Sequence, residues 1–335
     1  MIESIFVESL GPIKHAEIDA LGQINLFIGH NGSGKTFLLK ALYSALKTIE
    51  AFKRGKEQRT EKEILADKLY WMFQASELGE LVRKGDNNLR FSIKSNKDET
   101  FTYSFGNSTT KSVSSVKNTF APKSDNTIFI PAKEILSLRD VILEARENFT
   151  AFGFDDAYYD LAKALRPTGK GKNVKSFADA RKDLSSAIGG RINFDEKQKS
   201  WFFYGENSRK YDLSLTSEGV KKLSILDALL GNHYLSKNSV VIIDEAEANL
   251  HPEMIAKFMD IVYLLAKGGL QFFISSHSYF VIKKLYVMAQ KHQMSIPTWS
   301  FDNGEATRFD LKDEMPENAI VNESIRLYKE EIGVL

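Results

Sequence analysis

The sequence of 335 residues contains no cysteine. This absence excludes disulfide bonds, zinc sites with cysteine ligands and catalysis by a thiol, and it suits a reducing compartment. The sequence also lacks any apolar run that approaches the roughly 20 residues needed to cross a bilayer. Its first residues show no basic segment followed by a long apolar one, as a secretory signal would require. We therefore expect a cytoplasmic protein with no membrane partner.

The chain has almost no excess of charge, because 45 lysine and arginine residues balance 44 aspartate and glutamate residues. A net charge of +1 gives no long-range field that attracts nucleic acid or an acidic membrane, so any such partner would need a local patch. Hydrophobic residues make up 43% of the chain, which provides a substantial core for one large or two ordinary domains.

Eight residues near the start of the chain follow the pattern G-x-x-x-x-G-K-[ST], which is typical of a loop that binds nucleotide phosphates. These residues are Gly29, His30, Asn31, Gly32, Ser33, Gly34, Lys35 and Thr36. Glycines let backbone N–H groups turn toward phosphate oxygens, and the start of the following helix adds positive potential. Lys35 can reach the β- and γ-phosphates, and Thr36 can offer its hydroxyl to Mg²⁺. The motif therefore predicts an ATP or GTP site.

A second candidate element is the apolar run 240–243, which ends in the adjacent carboxylates of Asp244 and Glu245. In the parallel sheets of phosphate-loop proteins, such a strand brings its acidic end to the metal ion. We expect Asp244 to hold Mg²⁺ and Glu245 to accept a proton from the attacking water as the general base. A further apolar run, 270–274, leads to His277, which we expect to contact the γ-phosphate.

Ser217 and Gly219 precede a helix predicted at 223–230. Backbone N–H groups at a helix start can bind an anion, yet a capping serine is equally an ordinary signal that a helix begins. Both interpretations stay open at this point.

A basic cluster surrounds a glycine-containing break in the middle of the chain. Its members are Lys163, Arg166, Lys170, Lys172, Lys175, Arg181 and Lys182. Such a patch could bind nucleic-acid phosphates, although a solvated basic face is the commoner outcome. DNA is therefore one candidate partner among others.

The alternation of apolar and polar residues predicts strands in the first third of the chain and helices in the middle. The strand-like runs are 2–7 and 13–18, which form a hairpin, then 24–28, 89–94 and 101–105. We expect 108–117 to be a polar loop, and the helix after the phosphate loop to run through the charged stretch 47–68 as a solvated arm. Helical spacing prevails over 133–187, with a flexible basic break at 166–172.

Taken in this order, the motifs resemble the ABC-type ATPase heads of the SMC, RecF and OLD group, in the form found in compact bacterial AAA_15/AAA_21-like AAA family ATPases. The resemblance covers nearly the whole chain. It implies an α/β fold of the P-loop NTPase class, with a mixed β-sheet, an N-terminal antiparallel hairpin region and a short helical insert. It also implies an N-terminal lobe at 1–131, the insert at 132–190 and a C-terminal lobe at 191–335.

The resemblance implies a role for each motif. Segment 216–220 is similar to the signature motif, 247–252 to the D-loop region, and His277 to the switch histidine. Of the transporter signature L-S-G-G-Q, only the serine and the second glycine are kept, as Ser217 and Gly219. Gln74 is the candidate for the glutamine that senses Mg²⁺ and the γ-phosphate, with helix packing as the alternative. The implied cofactors are ATP and Mg²⁺.

The resemblance further implies that ATP closes a homodimer or a higher homo-oligomer, in which the phosphate loop of one subunit faces the signature segment of another. Lys35, Glu245 and His277 would carry the hydrolysis that reopens it. We expect such an ATPase to gate a nucleic-acid-related response, in DNA repair or antiphage defence, with a separate nuclease or toxin as effector. The alternative is an ATP-bound scaffold that holds and releases a toxic partner with little turnover. A transporter's ATPase subunit is a minor alternative.

Overall fold

The computed structural model describes residues 1–149, 152–166, 173–195, 197–198, 200–205 and 209–334. The chain divides into two compact units. Unit 1 comprises Met1–Ser124 and Phe273–Leu335, and unit 2 comprises Asp125–Phe272. These boundaries differ from those of the two lobes and the insert expected from the sequence. The division into lobes and insert stays a prediction. Among the described residues, no helix is long and apolar enough to cross a bilayer.

Strands and helices come in groups of two to four as far as residue 212 and mostly alternate one by one after it. The strands are β1 (Ile2–Leu10), β2 (Ile13–Ile18), β3 (Ile24–Gly29), β4 (Asn88–Ser95), β5 (Thr100–Gly106), β6 (Ser115–Asn118), β7 (Thr127–Ile130), β8 (Gly190–Asp195), β9 (Ser200–Gly205), β10 (Lys210–Asp212), β11 (Val240–Ile243), β12 (Gln271–Ser276), β13 (Pro297–Asp302) and β14 (Glu305–Asp310). The helices are α1 (Lys35–Ala51), α2 (Glu61–Phe73), α3 (Arg139–Glu147), α4 (Asp156–Ala164), α5 (Lys175–Ile188), α6 (Glu218–Gly231), α7 (Pro252–Lys267), α8 (Tyr279–His292) and α9 (Ala319–Val334).

Unit 1 contains an antiparallel sheet with the strand order β2-β1-β4-β5-β6. β1 and β2 form the predicted hairpin. In β5 every second residue is buried, including Phe101, Tyr103 and Phe105, so one face of this sheet carries an apolar core. The loop expected over 108–117 is partly wrong, because β6 begins at Ser115. Main-chain pairing with β5 orders this polar segment, which has no apolar alternation to reveal it.

A second group of strands in unit 1 positions the phosphate loop. β3 is buried at every residue and pairs in parallel with β13, so that Gly29 lies opposite Phe301. β13 also pairs with β14, which is antiparallel to it. On its other side β3 adjoins β12, the strand in which the boundary between the units falls, and Phe27 stacks on Phe273 at 6.4 Å. This packing fixes the end of β3, where the loop begins.

The helix after the phosphate loop is shorter than the sequence suggested. α1 and α2 are separate helices, so the continuous helix expected through 47–68 is wrong. Thr60 accepts a hydrogen bond from the N–H of Glu63, and the Glu63 carboxylate accepts one from the N–H of Thr60, which is a capping box that starts a new helix. The segment is not a solvated arm either, because Lys47 and Glu50 form a buried ion pair at 2.7 Å.

Unit 2 contains the parallel pair of β7 and β11 and a small antiparallel sheet with the order β10-β9-β8. Helix α5 packs against α6 and α7, and its residues Phe177, Ala180 and Leu184 are buried. α3, α4 and α5 confirm the helical spacing predicted for 133–187. Most of the predicted basic break, residues 167–172, lies outside the described residues.

Candidate functional site

The phosphate loop of unit 1 joins the buried end of β3 to the start of α1. Gly29 and Gly34 have φ angles of +143° and +105°, which glycine adopts without strain and other residues do not. A side chain at Gly29 would also collide with the carbonyl oxygen of Phe301, and one at Gly34 would lie 2.5 Å from Cγ1 of Ile13. Backbone conformation and close packing therefore both require glycine at these two positions.

Lys35 lies inside the curve of this loop. Its side chain is buried, and its Nζ donates hydrogen bonds to the carbonyl oxygens of Gly29 and His30, each at 2.8 Å. A longer contact of 3.4 Å reaches Oγ of Ser33. These contacts hold the ammonium group at the first turn of α1, a turn that contains no acidic residue. Positive charge and the positive end of the helix dipole are thus combined where an anion would approach.

The rest of the loop leaves its main chain open to a ligand. His30, Asn31 and Gly32 are exposed, whereas Ser33 and Thr36 are half-buried. Backbone N–H groups of the exposed part can therefore meet phosphate oxygens without a rearrangement of the core. The sequence prediction for this motif agrees with the geometry of the loop, and nucleotide binding itself stays a prediction.

Two other predicted residues of unit 1 lie at the ends of elements. His277 follows β12 and is exposed, and the preceding Ser276 accepts a hydrogen bond from the N–H of Ser278 at 3.0 Å. Gln74 ends α2 in the left-handed conformation, with φ of +51°. Its side-chain Nε2 has no hydrogen-bond partner within the described ranges. A sensing role of this glutamine stays a prediction.

The acidic strand of unit 2 has the form that the sequence predicted. β11 is buried throughout, and the N–H of Asp244 still donates to the carbonyl oxygen of Ile130 at 3.0 Å. The chain then turns sharply, because Glu245 has φ of +48° and its carbonyl oxygen accepts the N–H of Ala248 at 2.9 Å. A residue other than glycine in this region is uncommon and is often found at functional sites. We refer to residues 244–248 as the acidic turn.

The predicted signature segment lies at the start of α6, also in unit 2. Ser217 caps this helix and accepts a hydrogen bond from the N–H of Val220 at 3.4 Å. Gly219 packs closely on the segment that resembles the D-loop, since a side chain there would lie 3.0 Å from the carbonyl oxygen of Asn249 and 3.2 Å from Cδ2 of Leu250. The structure therefore shows the capping role of the serine and brings the two predicted motifs of unit 2 together.

Lys222 is a residue that the sequence analysis missed. It is only 2% exposed, and its Nζ donates to the carbonyl oxygen of Glu245 at 2.7 Å and to that of Ala248 at 3.4 Å. Burial lowers the pKa of Lys222 to about 8, against the opposite effect of the Glu247, Asp244 and Glu245 carboxylates. Nearly all residues of α6 after its first turn are buried, and a lysine in such a helix needs hydrogen-bond partners. A lysine within an apolar helix is therefore the sequence signal that could have revealed Lys222.

Tyr158 on α4 is a second residue that motifs could not reveal. Burial raises the pKa of Tyr158 to about 12, and the nearby carboxylates of Asp155, Asp244 and Glu245 add to this shift. The phenol keeps its proton at neutral pH and lies within electrostatic range of the Asp244 and Glu245 carboxylates. A helix from the predicted insert thus contributes to the surroundings of the acidic pair.

The basic cluster is smaller than its sequence suggests. The guanidinium group of Arg181 forms an ion pair at 2.8 Å with Asp227, a residue that is 2% exposed. Nζ of Lys163 lies 5.0 Å from the ring centre of Tyr159. Lys170 and Lys172 lie outside the described residues. Arg181 is therefore engaged within the fold, and DNA contact by the rest of the cluster stays a prediction.

The donor groups fit a metal ion only if a ligand supplies further oxygens. Within the parts of the chain that the structure describes, no group of three or more histidine, aspartate or glutamate side chains could hold a metal ion. Mg²⁺ differs from zinc or calcium in this respect, because proteins bind it through one or two side chains together with phosphate oxygens and water. The hydroxyl of Thr36 in unit 1 and the carboxylate of Asp244 in unit 2 are each, taken separately, a donor of that kind, and Mg²⁺ binding stays a prediction.

Solved structures with a similar fold are heads of SMC proteins. The SMC head domain from Thermotoga maritima aligns over 92% of this chain and 98% of its own, with a TM-score of 0.50 and 14% identity. An Smc head bound to the C-terminal winged-helix domain of ScpA covers 92% and 97%, with a TM-score of 0.55 and 14% identity. A third, from Pyrococcus furiosus, covers 98% of each chain with a TM-score of 0.51 and 12% identity. At these identities the likeness shows the fold alone.

No curated protein matches the sequence significantly. The profile of the AAA_21 family, described as "AAA domain, putative AbiEii toxin, Type IV TA system", matches residues 24–283, which include the phosphate loop, the signature segment, the acidic turn and His277. Because this match spans more than half of the chain, the chain belongs to the AAA_21 family of AAA domains.

Proposed function

We propose that this AAA family ATPase hydrolyses ATP with Mg²⁺, and that ATP binding closes it into a homodimer or a higher homo-oligomer. The observation that carries the proposal is the phosphate loop, in which Lys35 is held 2.8 Å from two loop carbonyls at the positive end of α1. The exposed N–H groups of the loop and this ammonium group form a site for the phosphates of a nucleotide. Family membership favours ATP over GTP.

In unit 1, the loop binds the phosphates and Lys35 neutralises charge on their oxygens. The hydroxyl of Thr36 is a proposed ligand of Mg²⁺. Held there, Mg²⁺ would supply positive charge that offsets the negative charge developing on the phosphate oxygens. His277 at the end of β12 is proposed to contact the γ-phosphate, and Gln74 to sense it.

In unit 2, Asp244 is the second proposed ligand of Mg²⁺, and Glu245 is the proposed general base. The oxygen of a water molecule forms a bond to the γ-phosphorus, and the bond from that phosphorus to the oxygen it shares with the β-phosphate breaks. The proton of the water passes to the Glu245 carboxylate, and ADP and phosphate are released. The left-handed conformation of Glu245 turns this residue out of the strand direction, which supports a role other than structural.

The proposed oligomer uses the start of α6. Ser217 caps this helix, and the N–H groups of its first turn, including that of Gly219, form an anion site toward nucleotide held by another subunit. ATP then bridges two copies of the chain, and its hydrolysis separates them. Both the site and the change of oligomeric state can be measured independently of turnover.

We further propose that this cycle gates a nucleic-acid-related or antiphage-defence response through a separate nuclease or toxin. The family description, which names a putative toxin and a toxin–antitoxin system, supports a link to a toxic effector. The same words support the alternative, an ATP-bound scaffold that holds such a partner with little turnover. Slow basal hydrolysis together with a stable partner complex would favour the scaffold.

The test combines turnover and mass. The purified chain should release phosphate from ATP only with Mg²⁺, and light scattering of the Glu245→Gln variant should show at least twice the 37.9 kDa of one chain when MgATP is present. Without nucleotide the same variant should have a lower mass. Absence of hydrolysis in the unsubstituted chain, or an unchanged mass with saturating MgATP, would contradict the corresponding half of the proposal.

A further inference from the structure

Lys222 makes a buried contact that the proposed reaction leaves without a role. It stands beside Lys221 in α6, and the two lysines differ in their partners. Nζ of Lys221 contacts carboxylates, at 2.8 Å from Glu218 and 3.6 Å from Glu134. The recorded hydrogen bonds of Lys222 go instead to main-chain carbonyls of the acidic turn, those of Glu245 and Ala248. The second lysine therefore acts on the backbone of the proposed base.

This contact falls where the chain leaves strand β11. Glu245 has a positive φ, so the regular pairing of β11 has ended, and its carbonyl oxygen accepts the N–H of Ala248 at 2.9 Å. A hydrogen bond from an ammonium group in a buried place is stronger than one between neutral groups. The lowered pKa of Lys222 indicates that burying this cation has a cost, which its contacts must offset.

A second contact joins the same two segments. The first turn of α6 approaches the main chain just after the acidic turn so closely that a side chain at Gly219 would lie 3.0 Å from the carbonyl oxygen of Asn249. Lys222 lies five residues after the capping Ser217, which is about 7.5 Å along a helix. Helix α6 therefore carries the signature segment at its start, and within its first two turns it also carries the lysine that donates hydrogen bonds to the acidic turn.

We propose that Lys222 is a positioning residue, which fixes the backbone of Glu245 and couples the orientation of its carboxylate to the signature segment on the same helix. This inference rests on the proposed role of Glu245 as general base. An anion that binds at the start of α6 shifts the helix as a rigid element, and Lys222 transmits that shift to the carbonyl of Glu245. Hydrolysis then becomes sensitive to whether the signature segment is occupied.

If Lys222 positions Glu245, its loss should lower kcat for ATP and leave the affinity for ATP nearly unchanged. Lys222→Met removes the ammonium group but keeps the length of the side chain, and it leaves the phosphate loop unchanged. We expect kcat for ATP to fall about 10- to 100-fold, the range for losing a group that orients another catalytic group. The KM for ATP should change less than about threefold, because its phosphate ligands remain.

A purely structural lysine would give a different pattern. Ile225→Val, in the same helix and 1% exposed, serves as the control, because it loosens the packing of α6 but keeps the ammonium group of Lys222. Its kcat per folded molecule should match that of the unsubstituted chain. The variant Lys222→Met combined with Glu245→Gln should hydrolyse no more slowly than Glu245→Gln alone, because Lys222 acts through that residue.

Steady-state phosphate release and equilibrium binding of ATP on the full chain decide between the outcomes. If Glu245→Gln abolishes hydrolysis but Lys222→Met keeps kcat within twofold, the role of Lys222 is wrong and the proposed function stands. If Glu245→Gln hydrolyses at the normal rate, the base assignment fails and this inference fails with it. If Lys222→Met does not fold, Lys222→Gln, which keeps a polar group but shortens the side chain, is judged by the same split between kcat and KM.

Discussion

The phosphate loop and the acidic turn both depend on left-handed backbone, and they reach it in different ways. In the loop, Gly29 and Gly34 adopt positive φ angles because they lack a side chain. In the acidic turn, Glu245 adopts one although it carries a side chain, and the ammonium group of Lys222 holds its carbonyl oxygen at 2.7 Å. One conformation is set by the local sequence, and the other is stabilised by a contact from another element.

This difference matches what each segment is proposed to do. A loop that binds phosphates through its main chain needs conformational freedom and no side chains, which glycine provides wherever the loop lies in a fold. A turn that carries a general base must keep its side chain and orient it, so the support has to come from outside. The proposed base can therefore respond to movements elsewhere in unit 2.

The largest expected effect is on the acidic turn. Glu245→Gln removes the proton acceptor but keeps the shape, so kcat for ATP should fall about 10²- to 10⁴-fold while ATP still binds. Phosphate release at saturating MgATP measures the loss. Glu253→Gln, which alters a surface carboxylate in the first turn of α7, is the matched control and should hydrolyse normally. Equal losses in both variants would argue against a specific role for Glu245.

The phosphate loop should be disrupted by a single added methyl group. Gly34→Ala places a side chain at φ of +105° and 2.5 Å from Ile13, which should cost about 3 kcal/mol in the free energy of unfolding. Gly55→Ala is the control, because Gly55 has φ of +62° but nothing lies within 4 Å of the added atom. Strain alone should then cost about 1 kcal/mol. Urea unfolding of both variants checks the difference, and equal losses would show that the close packing is unimportant.

Lys35→Ala should weaken the binding of ATP itself, whereas Glu245→Gln should bind ATP and lose only turnover. A hydrogen bond to a charged group contributes about 1.5–3 kcal/mol, so the affinity for ATP should fall about 10- to 100-fold. Titration calorimetry with MgATP gives the affinity directly. Lys56→Ala, which removes an exposed lysine between α1 and α2, is the control and should bind ATP as before. Unchanged affinity in Lys35→Ala would contradict the proposed phosphate site.

The smallest expected effect is a dependence of stability on pH. The pKa of Lys222 is lowered to about 8 in the folded chain, below the value of an exposed lysine, so between about pH 8 and 10 the unfolded chain binds more protons. Folding should therefore gain stability from this group as the pH rises through that window, by at most about 1.4 kcal/mol per pH unit. Lys222→Met should lack the gain, which urea unfolding at pH 7.5 and 9.5 can measure. A constant difference between the two chains would contradict burial of the cation.

The sequence predicted those parts of the molecule whose structure is set by neighbouring residues. The phosphate loop, the hairpin of β1 and β2 and the buried strand that ends at Asp244 each carry a local pattern, of glycines, of alternation or of an apolar run. The resemblance to SMC-type heads, and with it the fold class, followed from the order of such patterns. The family match and the similar structures confirm it.

The sequence did not predict the contacts that join elements. The break between α1 and α2 was missed for a different reason. The capping box at Thr60 is a local signal for it, but the charge pattern of the segment favoured one continuous helix. β6 is ordered by its partner strand and not by its own residues. Lys222 contacts the acidic turn, and Tyr158 comes within electrostatic range of it, only after the chain has folded. The sequence of two adjacent lysines in one helix does not indicate which of them will donate to main-chain carbonyls.

The most direct test of the account is the nucleotide that two variants retain after one turnover. The Glu245→Gln and Lys35→Ala chains are mixed with labelled MgATP at a protein concentration above that of the nucleotide, and the bound nucleotide is separated and identified. The account predicts uncleaved ATP on Glu245→Gln and almost no nucleotide on Lys35→Ala. ADP formed on Glu245→Gln at the rate of the unsubstituted chain, or ATP held firmly by Lys35→Ala, would contradict it.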